Sequence, residues 1–129
     1  MKIESLDFIY MPSADPAAEL EWFAATLEAE IVFAIEAFGT RVAMVRPGSG
    51  PPILLAGHLA GERPVLVFRV ASLDAAAAEL EAAGADVSEE FGIPHGPIRE
   101  IHAPGGHRLA IYELTRAERA KSLIGRRDF

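Results

Sequence analysis

Apolar and polar positions alternate from Ser5 to Met11, with Leu6, Phe8 and Tyr10 on one face and Asp7, Ile9 and Met11 on the other. A period of two predicts a strand. Pro12 to Asp15 interrupts it; Asp15 suits a helix N-cap and Pro16 the first helical position. The helix is predicted to run to about residue 28, because Leu20, Phe23, Ala24 and Leu27 recur at helical spacing. Three apolar runs follow at 31–38, 41–45 and 52–56, separated by Gly39-Thr40 and by the Gly/Pro-rich stretch 47–51.

The same order then returns. Residues 65–70 read as a strand, and Ser72 caps a helix whose stripe is Leu73, Ala76, Ala77, Leu80 and Ala83, stopped by Gly84. Strands are predicted at 86–91, 97–102 and 108–114. Ala-Ala-Glu-Leu-Glu occurs at 17–21 and again at 77–81, but the repeated order of elements is the stronger sign of an internal duplication. Thr115 with Glu118 forms a capping box for a last short helix, and the tail 125–129 is expected to be loose. The predicted fold class is α+β: two βαβββ modules side by side, forming a half-open mixed β-barrel cleft, with a short C-terminal helix. Module one spans about 3–57, module two about 64–114 and the helix about 115–124 of a single domain. Pockets favour barrel mouths and module interfaces.

Composition narrows the possibilities. The 129 residues hold no cysteine, which excludes disulfides, thiolate metal sites and a cysteine nucleophile. A net charge of −7 disfavours nucleic acid. No apolar run reaches the roughly 18 residues of a membrane span, and Glu4 stands where a signal peptide would continue apolar, so a cytoplasmic protein is expected.

Several segments carry a resemblance. Leu6-Asp7-Phe8 opens the first strand, followed by the Asp15 cap and Trp22-Phe23. Val67-Phe68-Arg69-Val70 leads into Ser72-Leu73-Asp74, and Ala103-Pro104-Gly105-Gly106-His107-Arg108-Leu109 forms a turn before the last strand. In order and spacing these segments resemble the vicinal oxygen chelate superfamily, which holds glyoxalases, extradiol dioxygenases, epimerases and bleomycin-binding proteins. The resemblance covers about residues 3–114 and implies a divalent metal held by side chains at three positions, which map to Phe8, Val65 and Ala110. None of the three can ligate a metal. The family's metal chemistry is therefore not expected, and neither is any other cofactor. The resemblance also implies a homodimer.

Parity shows what would remain in the cleft. A three-residue turn at Pro104 to Gly106 pairs His102 with Arg108, Glu100 with Ala110 and Ile98 with Tyr112. Glu100 would then stand across from the lost ligand position, with His102 two residues away. Tyr10 and Arg69 share the parity of the old ligands. Phe8, Tyr10, Val65, Val67, Arg69, Ala110 and Tyr112 are the candidate ligand-binding residues, and Glu100 and His102 the candidate acid–base pair. The competing reading has Glu100 on the rim, or paired with Arg108 or Arg99. His58 and His95 lie in Gly/Pro-rich loops and are expected to be solvated.

Two functions fit. The first is a metal-free small-molecule binding protein of the glyoxalase/bleomycin-resistance type, holding a small aromatic or weakly basic ligand. The alternative is a metal-independent isomerase, epimerase or lyase using Glu100 and His102. In either case the partner is a small molecule, not nucleic acid or a membrane.

Overall fold

The computed structural model describes all of residues 1–129. The chain divides into two compact units, one of residues 8–64 with 122–129, the other of residues 1–7 with 65–121. The first strand, β1 (Ser5–Pro12), begins in the second of these and continues into the first. The element order gives the expected α+β class, βαβββ in the first half and βαββββ in the second, where one expected strand is split in two.

In the 8–64 unit, β1 is followed by α1 (Pro16–Thr26), β2 (Glu30–Ala37), β3 (Thr40–Arg46) and β4 (Ile53–Ala56). The sheet order is β2-β3-β4-β1, with β1 and β4 parallel and the other pairs antiparallel. Asp15 caps α1 as expected: its Oδ1 accepts from Ala18 N at 3.1 Å. Leu20 carries the helix's apolar stripe into a core with Ala34, Ala43, Val45 and Leu55, joined by Met11, Phe23 and Phe129. Trp22 is exposed and meets Phe23 edge-on, with ring centroids 5.3 Å apart.

The tail corrects an expectation. Residues 125–128 are not loose but lie along the open edge of β2. Gly125 N donates to Val32 O (2.8 Å), Ala34 N to Arg126 O (2.8 Å) and Asp128 N to Ala34 O (2.7 Å). Glu36 N donates to Asp128 Oδ2 at 2.9 Å, and Phe129 enters the core. An edge strand offers unpaired backbone groups, and this tail satisfies them.

In the 65–121 unit, β5 (Val65–Arg69) leads to α2 (Leu73–Ala82), β6 (Asp86–Val87), β7 (Phe91–Ile93), β8 (Gly96–His102), β9 (Arg108–Tyr112) and α3 (Ala117–Ser122). The sheet order is β5-β9-β8-β6, and β7 also pairs β8. Ser72 caps α2, with its Oγ accepting from Ala75 N at 3.3 Å. Leu73 and Ala76 pack on Val70 and Ile111, with Phe68, Leu80 and Ile101 around them. The strand expected over 86–91 is two strands. Between Val87↔Ile101 and Phe91↔Ile98, three residues face two, which makes a bulge. Ser88 holds it: its Oγ accepts from Glu100 N at 2.7 Å and its carbonyl from Arg99 Nε at 2.7 Å. No helix in the chain is long and apolar enough to cross a membrane.

Candidate functional site

The last hairpin fixes the site. Pro104 to Gly106 form a tight turn in which Gly105 and Gly106 have φ of 80° and 76°. Ala103 N donates to His107 O at 3.3 Å, closing it. Only glycine adopts two such successive conformations cheaply, so the turn sets the register. The pairs are Ile98↔Tyr112, Glu100↔Ala110 and His102↔Arg108, as the three-residue turn requires. On the other side, β5 pairs β9 in parallel, with Val65↔Arg108, Val67↔Ala110 and Arg69↔Tyr112. Side chains alternate, so Val65, Val67, Arg69, Ile98, Glu100, Arg108, Ala110 and Tyr112 share the sheet face opposite α2.

That face is mostly hydrocarbon. Val65, Val67, Ile98, Ala110 and Tyr112 are buried. Its central charged pair is Glu100 and Arg108, each about one-fifth exposed (20% and 21%), with Arg108 Nε donating to Glu100 Oε1 at 2.8 Å. His102 lies farther out. It is 58% exposed, and its Nδ1 is 3.0 Å from Asp86 Oδ2 across the β6–β8 pair. The expected Glu100–His102 acid–base pair is therefore not formed. Each group has a charged partner on its own neighbouring strand, and two residues along a strand separate them by about 7 Å.

The face ends in a polar cluster that the sequence did not reveal. Tyr112 donates its phenol proton to Asp7 Oδ2, and the Ser5 hydroxyl donates to Asp7 Oδ1. Arg69 Nε stands 3.3 Å from Asp7 Oδ2 and 3.8 Å from Glu4. Burial first, then the bond to Asp7, pushes the Tyr112 phenol well above its ordinary range. Tyr112 is therefore a protonated donor whose proton already has an acceptor.

His95 corrects the other expectation. It is half-buried rather than solvated, with its ring edge-on to Tyr112 at 6.2 Å. Burial lowers its pKa from the usual value, and the charge of Asp7 partly opposes this. The imidazole is neutral at neutral pH. Gly96 makes the placement possible: its φ is 153°, and a Cβ there would meet Glu113 O at 2.1 Å. The available signal was that glycine, one residue after the histidine.

Phe8 and Tyr10 belong to the 8–64 unit, on the face of β1 away from α1. Their rings meet edge-on at 5.6 Å. Burial pushes the Tyr10 phenol up, so it too is a neutral donor. Phe8, Val65 and Ala110, the positions matched to metal ligands by the resemblance, offer no donor atom. No three His, Asp or Glu side chains converge elsewhere.

No family model matches the chain, and no curated protein matches its sequence. Solved structures do. A methylmalonyl-CoA epimerase from Mycobacterium tuberculosis superposes with a TM-score of 0.73 at 24% identity, over 92% of this chain and 93% of that one. The Streptomyces coelicolor methylmalonyl-CoA epimerase, solved with 2-nitronate-propionyl-CoA, gives 0.71 at 19% identity, over 88% and 99%. The fold is that of the methylmalonyl-CoA epimerases. These enzymes belong to the vicinal oxygen chelate superfamily. A Bacillus halodurans protein described as hypothetical gives 0.71 at 16% identity, over 84% and 92%.

Proposed function

We propose that the protein is an isomerase of the epimerase kind, which moves a proton on a carbon beside a carbonyl without a bound metal. The observation that carries this is Glu100: a half-buried carboxylate at the centre of a mostly apolar sheet face, directly across from Ala110 and paired with Arg108. A carboxylate set among hydrocarbon and largely withdrawn from solvent can serve as a general base. The epimerases that share the fold support this reading over a pure binding protein.

Glu100 takes the proton from the carbon acid, leaving a planar enolate; a proton taken from water at the opposite face inverts the centre, and Glu100 gives its own proton to water through its exposed edge. His102 is too exposed and too firmly turned to Asp86 to share that step. Thioesters of 2-methyl-branched acids are the first substrates to test, because the similar structures are named for one. Chiral chromatography of a single 2-methylacyl-CoA epimer incubated with the protein should show racemisation, and Glu100→Gln should remove it. Unchanged racemisation in the glutamine variant would remove Glu100 from the role.

A further inference from the structure

We infer that Ser88 is a positioning residue for that reaction: its hydroxyl, built into the sheet ladder, fixes the backbone of Glu100 and keeps the serine side chain away from the carboxylate. The inference rests on Glu100 being the base.

The register shows how this arises. Asp86 lies opposite His102 and Val87 opposite Ile101, so Ser88 falls opposite Glu100. In a regular antiparallel ladder a hydrogen-bonded pair exchanges two backbone bonds. One of the two is present: Ser88 N donates to Glu100 O at 2.8 Å. The other is replaced. Glu100 N donates at 2.7 Å to the Ser88 hydroxyl instead of the Ser88 carbonyl. That carbonyl is turned away and accepts from Arg99 Nε at 2.7 Å. The hydroxyl itself donates to Glu89 O at 3.1 Å, so it is held both as donor and as acceptor. The side chain has taken the carbonyl's place, and the chain bulges out after it.

Two consequences reach the base. First, one residue holds both polar groups of the Glu100 backbone, while Arg108 Nε holds its Oε1 at 2.8 Å. A carboxylate anchored at both ends meets the substrate hydrogen at one fixed point, and a misplacement of about 1 Å can cost on the order of a hundredfold in rate. Second, opposed residues of an antiparallel pair stand on one face about 5 Å apart. Asp86 stands so beside His102, and the two side chains meet at 3.0 Å. Ser88 would stand so beside Glu100, but its side chain is committed to the ladder. The bulge therefore separates the two acid–base candidates: the strand that engages His102 leaves the Glu100 carboxylate alone.

Ser88→Ala removes the acceptor and Ser88→Thr keeps it. Ser72→Ala removes a comparable hydroxyl, the cap of α2, and serves as the control for lost stability. In Ser88→Ala, kcat for α-proton exchange on a 2-methylacyl-CoA should fall by about ten- to a hundredfold while KM stays within about threefold. Ser88→Thr should stay within about threefold of wild type. Ser72→Ala should lower the denaturation midpoint and leave kcat unchanged. Arg99→Met carries the same test should Ser88→Ala not fold. Arg99 lies on the opposite face of β8, and its loss frees the Ser88 carbonyl; kcat should fall about tenfold at constant KM. Wild-type kcat in Ser88→Ala or in Arg99→Met, a loss confined to KM, or an equal loss of kcat in Ser72→Ala would overturn the inference. In a Glu100→Gln background Ser88→Ala should add no further loss, and an equal further loss there would also overturn it. Wild-type exchange in Glu100→Gln alone would instead overturn the base assignment.

Discussion

Replacing Gly96 with alanine tests whether the loop geometry described above holds the end of the site face. Gly96 has φ of 153°, a region open almost only to glycine, and forcing alanine into it costs about 1–3 kcal/mol. The new methyl would also lie 2.1 Å from Glu113 O, 2.9 Å from Thr115 Oγ1 and 3.1 Å from Thr115 N. Two of these atoms are backbone and cannot swing away. The loop must open, and with it go the bonds from Glu113 N to Pro97 O (3.1 Å) and from Thr115 N to His95 O (3.1 Å). At roughly 1 kcal/mol for each bond, the total loss is about 3–5 kcal/mol. For a chain of this length that lowers Tm by on the order of 10–15 °C. Urea denaturation followed by tryptophan fluorescence and circular dichroism would measure it. A change under about 0.5 kcal/mol would show that the loop is slack and that His95 is not fixed against Tyr112.

Other perturbations probe other parts of the account. Phe38 is fully exposed at the β2–β3 turn with φ of 53°, so Phe38→Asn should stabilise the protein by about 1 kcal/mol, read as a higher denaturation midpoint. Truncation after Ile124 removes the tail's bonds along β2 and the Phe129 ring. It should cost at least about 2 kcal/mol and promote self-association in sedimentation. His95 has a lowered pKa in the folded state, so the unfolded chain binds more protons as pH drops below about 6.5. Wild-type stability should therefore fall from pH 7 toward pH 5, and less steeply in His95→Asn, in denaturant titrations at each pH.

The parts legible in the sequence are those set locally. Asp15 and Ser72 announce their helices because a cap needs a side chain within three residues. Pro104-Gly105-Gly106 gives the hairpin register, and period two then places Glu100 across from Ala110 and on one face with Val67. What was hidden depends on partners far along the chain. Arg126 and Asp128 carry nothing to say that they will meet Ala34 and Glu36. Asp7 looks like an outward strand residue until Tyr112, from the last strand, reaches it. The break in the 86–91 strand comes from Ser88, which looks no different from an ordinary strand serine until its hydroxyl enters the ladder. Glu100 and His102 share a face as parity predicts, yet Arg108 and Asp86 decide which way each charge turns.

The central claim is that Glu100 removes a proton from a carbon beside a carbonyl and needs no metal to do so. The direct measurement is deuterium uptake at the α-carbon of a 2-methylacyl-CoA in D2O by proton NMR, after exhaustive treatment of the protein with a chelator. The account predicts exchange in the chelated wild type and a loss of at least about a hundredfold in Glu100→Gln. Exchange that vanishes on chelation and returns with a divalent metal, or that persists in Glu100→Gln, would contradict it.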